Sequence, residues 1–318
     1  MRVLVTGGAG FIGSHFIHRL LLENYDVICV DNFNDFYSPK VKELNIQPFS
    51  KKKNFTLYRG DITDYGLMEK IFNKENIHQV VHMAARAGIR PSIQNPFIYQ
   101  KVNVEGTLNM LELSRKKKVS KFILISSSSV YGNNSKIPFS ENDPISEPIS
   151  PYAATKRSAE LLTYTYHHLY ALNTVIIRPF TVYGPSGRPD MAPFIFTKLI
   201  DSGKKIQRFG DGSTKRDYTY IDDFTDGTIA ALEKDLKFEI FNLGNSRAIK
   251  LNKLITTIES ALGKKAMIEE LPYQPGDMSL TYADISKAKK LLNYNPQITL
   301  KDGITRFVSW YKEYKKFY

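Results

Sequence analysis

Short, nearly unbroken apolar runs recur along the first half of the chain. They are RVLVT (2–6), VICVD (27–31), FTLY (55–58), QVVHM (79–83), KFILIS (121–126) and TVIIR (174–178). Stretches with helical spacing lie between most of them. Residues 14–24 place Phe16, Ile17, Leu20 and Leu21 on one face, and residues 98–116 and 153–170 read the same way. A strand that is apolar throughout is buried on both faces, and strands alternating with helices predict a doubly wound parallel sheet, an α/β architecture of the Rossmann type. After about residue 178 the rhythm breaks into loops rich in proline and glycine, helical stretches near 192–202 and 251–262, and a lone strand FEIFNL. This predicts a sheet domain over 1–178 and a smaller α+β lobe over 179–318, with a segment crossing back to the first domain.

The loop after the first strand gives the sheet domain a chemistry. TGGAGFIGSH satisfies both Gly8-x-Gly10-x-x-Gly13 and Gly7-x-x-Gly10-x-x-Gly13, with Phe11 and Ile12 inside the motif. Glycines there permit a tight turn and let the backbone approach a pyrophosphate at the start of the first helix. The pattern alone is weak, but Asp31 ends the second strand 18 residues after Gly13, where a carboxylate accepts hydrogen bonds from the adenosine ribose. Asp31 would repel a 2′-phosphate and no arginine follows in DNFND, so NAD is favoured over NADP and residues 1–178 read as its binding domain. Asn32 follows that carboxylate, and Asp61 with Ile62, after the third strand, is expected near the adenine.

A second constellation is SPYAATK, which sets Tyr152 and Lys156 four residues apart at a helix start and therefore on one face. Free tyrosine is a poor base, with a pKa near ~10, but a nearby ammonium and an oxidised nicotinamide both favour the phenolate. Such a pair takes a proton from an alcohol while hydride leaves. The serines of SSSSVYG lie at the carboxyl end of the strand 121–126, where open parallel sheets bind their ligands.

Bulk properties narrow the classes. The chain has 318 residues and a formal charge of +12, from 44 Lys and Arg against 32 Asp and Glu. The lysine clusters at 51–53, 116–118 and 315–316 are scattered and carry no nucleic-acid motif, so they read as solvated surface, and no nucleic-acid partner is expected. No apolar run is long enough for a membrane helix, and no metal-ligating arrangement is visible. Cys29 is the single cysteine, so no intrachain disulfide forms; with a strand directly after Met1 and no signal-like segment, a cytoplasmic setting is expected. His167 and His168 lie on a long helix, and His82 reads as structural.

Taken together and in order, TGGAGFIG, HMAARAG, SSSSVYG, YAATK, RPFTVYGP and RDYTYIDD resemble an extended short-chain dehydrogenase/reductase of the nucleotide-sugar epimerase branch, over essentially the whole chain. The resemblance implies Tyr152 as the base, Lys156 as its electrostatic partner that also holds the nicotinamide ribose, and Ser127 on the sugar 4-oxygen. It implies Ala84 and Ala85 beside the cofactor, and Phe209, Arg216 and Asp277 at the UDP end of a UDP-sugar. It further implies a homodimer formed through the helices at 98–116 and 153–170. Sugar 4,6-dehydratases carry an Asp-Glu pair after the strand's hydroxyl residue; Ser128 and Ser129 stand there, which argues for 4-epimerisation through a transient ketone.

The loop GPSGRPDMAPF, with the preceding TVY and the downstream QPGDM, is closer to UDP-glucuronate 4-epimerases than to UDP-glucose 4-epimerases, which typically carry Asn at the position of Thr181. Arg188, helped by Thr181 and Ser128, is accordingly expected to clamp a sugar carboxylate, since a guanidinium holds both its oxygens. A loop-stapling pair with Asp190, or a contact across a dimer, is the competing role for Arg188. Pro179 departs from relatives, which often carry an aromatic residue there. The competing functions are UDP-glucose 4-epimerase, UDP-glucuronate decarboxylase, and a non-catalytic NAD sensor that has kept the fold.

Overall fold

The computed structural model describes residues 1–273 and 280–318. In chain order the first elements are β1 (Arg2–Thr6), α1 (Phe11–Leu22), β2 (Asp26–Asp31), α2 (Pro39–Ile46), β3 (Phe55–Arg59), α3 (Tyr65–Lys74), β4 (Gln79–His82), α4 (Ile89–Gln94), α5 (Pro96–Tyr99), α6 (Gly106–Lys116), β5 (Lys121–Ile125), α7 (Pro151–Tyr170) and β6 (Thr174–Pro179). The strands form one parallel sheet in the order β6-β5-β4-β1-β2-β3, and a seventh strand, Phe238–Leu243, adds in parallel beside β6. Successive strands run outward from β1 in one direction and from β4 in the other. A crevice therefore opens between β1 and β4 at their carboxyl ends, where an open α/β sheet binds ligands.

Burial explains the elements. In β1 and β5 Val3, Leu4, Val5, Phe122 and Ile123 are fully buried, as expected for strands covered on both faces. On α1 the stripe Phe16, Ile17 and Leu20 is fully buried against that sheet. Helix α7 starts cleanly because the Ser150 hydroxyl accepts from the Ala153 amide at 3.1 Å and Pro151 stands at its first position, and it stops at Ala171 in the left-handed region. This start fixes the height of Tyr152 and Lys156 above the sheet.

The stretch 98–116 is not one regular helix. A π-helical segment, Gln100–Glu105, joins α5 to α6. The buried Asn103 amide accepts from the Arg86 amide at 2.8 Å and donates to the Arg86 carbonyl at 3.0 Å and to Thr155 at 3.1 Å. The wide turn carries that side chain inward, which apolar periodicity gives no means of foreseeing.

Beyond Pro179 the helices 192–201 and 300–314 meet through an aromatic cluster of Phe194, Phe307 and Tyr311, and the helix 251–262 packs against both. Residues 215–217 pair antiparallel with 248–250 and parallel with 280–281, while 205–209 pair with 267–271. Asp217 is fully buried and its carboxylate accepts from the amides of Asn245, Ser246 and Ala283 at 2.7, 2.9 and 3.1 Å. Burial pushes its pKa up to about 6 against those donors.

Candidate active site

The glycine turn is a fitted cradle. A Cβ on Gly13 would sit 2.3 Å from the Gly7 carbonyl, and one on Gly7, which holds φ +70°, would meet the Ala84 backbone at 2.8 Å. Gly10 caps α1 without a side chain, and no acid occupies the first turn, so this end of the helix presents backbone N–H groups and positive dipole. Asp31 lies beside the turn: its carboxylate accepts from the Ala9 amide at 3.1 Å and the Phe33 amide at 2.8 Å. The donors and the glycine cradle fit a pyrophosphate, and the carboxylate beyond fits a ribose.

One cleft runs from this turn to α7. It is lined by Gly7, Gly10, Phe11, Ile12, Gly13, Asp31, Asn32, Asp61, Ile62, Ala84 and Ala85, then Tyr152, Lys156 and Arg188. All the residues the sequence proposed for the cofactor thus face one space. Asp61 is more tied down than expected, since its carboxylate accepts from Asn32 at 2.7 Å and from both the amide and the hydroxyl of Thr63. The cleft also takes in Asn34, Phe36, Tyr37, Lys42 and Arg86, which the sequence reading did not single out. The segment after Asp31 carries four of these, and its only local signal was length before the next strand.

At the far end, burial raises the Tyr152 phenol, while the Ser127 hydroxyl beside it and the charge of Arg188 both act in the opposite direction. Lys156 donates to the Ile125 carbonyl at 2.7 Å, and burial pushes its pKa down to about 8 against the nearby Glu160. Ser127 and Arg188 thus favour a Tyr152 anion, a role the sequence reading had not given to either. Ser127 also accepts from the Ser129 amide at 3.1 Å, which fixes its hydroxyl.

Arg188 is bidentate to Asp190, with Nε and Nη2 at 2.9 and 2.5 Å from its two oxygens. Its guanidinium lies over Phe36 at 5.4 Å, and that of Arg86 lies over the same ring at 5.7 Å. Thr181 is partly buried, its carbonyl accepting from the Thr219 amide at 3.0 Å, and Ser128 is partly buried beside Ser127. Phe209 packs under the Arg90 guanidinium at 5.4 Å, and Arg216 donates to the Lys215 carbonyl at 2.9 Å. Asp277 lies outside the described residues.

Behind the serines is a buried network the sequence did not reveal. Glu160 accepts from Arg178 through Nε and Nη2, both at 2.9 Å, and from Ser126 at 2.6 Å. Arg178 also donates to the Tyr131 hydroxyl at 3.0 Å, which donates to Asn242 at 2.7 Å. The seventh strand is thereby tied to the segment that holds Ser127. His82 is buried between Thr6 and Thr107, at 2.7 and 3.1 Å, and burial pushes its pKa down to about 3, so it serves structure in neutral form.

A doubly wound sheet with a glycine cradle, a carboxylate at the end of β2, and Tyr152 and Lys156 in one cleft, with Ser127 beside the Tyr152 phenol, defines an extended short-chain dehydrogenase/reductase. The chain belongs to the GDP-mannose 4,6 dehydratase family, whose model matches residues 4–307. It is similar to the UDP-glucuronate 4-epimerase of Thermodesulfobacterium geofontis, with 49% identity over 311 residues, 98% of this chain and 96% of that protein. Among solved structures it is similar to UDP-glucuronic acid 4-epimerase from Bacillus cereus in complex with UDP-glucuronic acid and NAD. That match has 40% identity and a TM-score of 0.92, covering 98% of this chain and 99% of the other. UDP-glucose 4-epimerase from Thermotoga maritima with UDP-glucose matches at 34% identity and a TM-score of 0.91, again over 98% and 99%.

Proposed function

We propose that this chain is an NAD-dependent UDP-sugar 4-epimerase acting on UDP-glucuronate, which it interconverts with UDP-galacturonate. 4-Epimerisation of a UDP-sugar is the activity named for the Thermodesulfobacterium geofontis, Bacillus cereus and Thermotoga maritima proteins, which match nearly the full length of this chain, and the Bacillus cereus structure holds NAD. The observation that carries the choice of sugar is that Arg188 lines the same cleft as Tyr152 and acts electrostatically on its phenol. NAD, when bound, accepts hydride from the sugar carbon and returns it.

In this reading Tyr152 takes the proton of the 4-hydroxyl as hydride leaves carbon 4, and Ser127 holds the same oxygen. Lys156, anchored on Ile125, carries positive charge below about pH 8 and holds the nicotinamide ribose. The 4-keto sugar turns over in the cleft, and Tyr152 returns the proton as hydride arrives on the opposite face. With a carboxylate on carbon 5 the ketone is a β-keto acid, which loses carbon dioxide when the carboxylate bond stands perpendicular to the carbonyl plane. Arg188, with Thr181 and Ser128, holds that bond away from the perpendicular. Asp190 engages Nε and Nη2 of Arg188 and leaves Nη1 outside the pair. Phe209, Arg216 and Asp277 are assigned to the UDP end. No dehydration is expected, because Ser128 and Ser129 supply neither acid nor base at that point.

The Asp190 pair favours a second reading, in which Arg188 only staples its loop and the substrate is UDP-glucose. Arg188→Ala separates the two. Loss of a charged hydrogen-bond partner costs about 1.5–3 kcal/mol, so affinity for UDP-glucuronate is expected to fall by roughly 10- to 100-fold in calorimetry, with little change for UDP-glucose. Equal losses for both sugars would leave Arg188 as a staple.

We assign the chain to homodimers built through α5, α6 and α7. Phe97 is 84% exposed, and Leu108, Leu161 and Tyr164 are exposed on those helices, which is unusual for unpartnered helix faces. Light scattering should return twice the mass of one chain; a monomer at micromolar concentration would remove this assignment. Among the described residues no helix is long and apolar enough to cross a membrane, and the buried, single Cys29 suits a cytoplasmic enzyme.

A further inference from the structure

Lys42 is a cation in a place where cations are expensive. It is 4% exposed, on α2, and lines the cleft beside Asp31. Its Nζ donates one hydrogen bond, to the Asn34 carbonyl at 2.9 Å, and stands 3.9 Å from Oδ1 of Asp31. That separation is too long for a direct hydrogen bond. It is the span that one hydroxyl oxygen closes, lying about 2.8 Å from each group, donating to the carboxylate and accepting from the ammonium. Asp31 already receives the amides of Ala9 and Phe33, so its orientation is fixed. Burial draws the Lys42 ammonium down and Asp31 holds it up, with Asp35 on the same side and Arg86 opposing. Arg59, the other cation near Asp31, is committed to Glu43 through both nitrogens at 2.7 and 2.9 Å and to the Phe33 ring.

We propose that Lys42 is a coenzyme-specificity residue: with Asp31 it grips an adenosine-ribose hydroxyl from two sides, and the carboxylate alone keeps Lys42 from accepting a phosphorylated ribose. The inference rests on the reading of this cleft as the NAD site. Its consequence is that the preference for NAD is set by a charge pair. Neutralising Asp31 leaves a buried ammonium facing the 2′-position, and an ammonium is a ready partner for phosphate.

The test is calorimetric titration of NAD and NADP into protein stripped of nucleotide, for wild type, Lys42→Met, Lys42→Arg, Asp31→Asn and the Asp31→Asn/Lys42→Met double variant, each checked for folding by circular dichroism. Lys42→Met is expected to weaken NAD roughly tenfold or more, and Lys42→Arg to weaken it less. Asp31→Asn is expected to bind NADP at least tenfold more tightly than wild type does, and the double variant to lose that gain. NAD affinity unchanged in Lys42→Met, or NADP bound equally by Asp31→Asn and the double variant, would overturn the proposal while leaving the cleft as the coenzyme site. A wild type that binds neither coenzyme would overturn both.

Discussion

Tyr152→Phe is expected to lower turnover of UDP-glucuronate by about 10²–10⁴-fold, the range in which positioned general acid–base groups act. Coenzyme affinity should stay near that of the wild type, since one hydroxyl is removed from a ring that is otherwise in place. The phenol of this half-buried tyrosine lies beside a hydroxyl and a guanidinium, both of which act against the effect of burial and favour its anion. Ser127 is set by the turn that follows β5, and Arg188 comes from the loop after β6, so groups from two other segments act on that phenol. In the proposed mechanism the proton passes at this same atom in both half-reactions, so oxidation of the sugar and reduction of the 4-ketone should both slow. A variant retaining more than a tenth of wild-type activity would remove Tyr152 from the chemistry.

The second large effect falls on stability. Glu160 and Arg178 are each 1% exposed and joined by two hydrogen bonds of 2.9 Å. Removing one partner of such a pair strands a buried charge and typically costs about 3–5 kcal/mol. Glu160→Leu leaves Arg178 with only the Tyr131 hydroxyl, and Arg178→Met leaves Glu160 with Ser126 and a longer contact to Arg157 at 3.2 Å. Either single variant should unfold at markedly lower urea, whereas the double variant, which leaves neither member of the pair without the other, should recover much of the loss. Single variants as stable as wild type, or a double variant losing the sum of both, would refute this account. Activity should fall further than stability in the singles that fold, because Ser126 adjoins Ser127 and hangs from Glu160.

What was legible in the sequence was local. The glycine motif, Asp31 and the Tyr152–Lys156 pair are each defined by short spacings within one strand, turn or helix, and the parallel sheet follows from apolar runs separated by helical ones. Contacts between distant segments were not legible. Arg178 sits at the end of an apolar strand with nothing nearby to say that Glu160 of α7 and Tyr131 of the serine segment converge on it. Lys42 lies in an unremarkable polar stretch and gains meaning only when α2 folds back on β2. The wide turn at Gln100–Glu105 depends on Asn103 meeting Arg86 and Thr155, so periodicity alone read the region as one regular helix. The Arg188–Asp190 pair was legible as an alternative, and the structure contains it alongside the placement of Arg188 in the cleft.

The measurement that bears most directly on the assignment is incubation of the wild-type protein with UDP-glucuronate and, separately, with UDP-glucose, followed by ion-exchange separation of the nucleotide sugars with mass detection. UDP-galacturonate from the acid, with no loss of mass and no turnover of UDP-glucose, is the predicted result. Turnover of UDP-glucose alone, or a product lighter by carbon dioxide, would contradict the role given to Arg188.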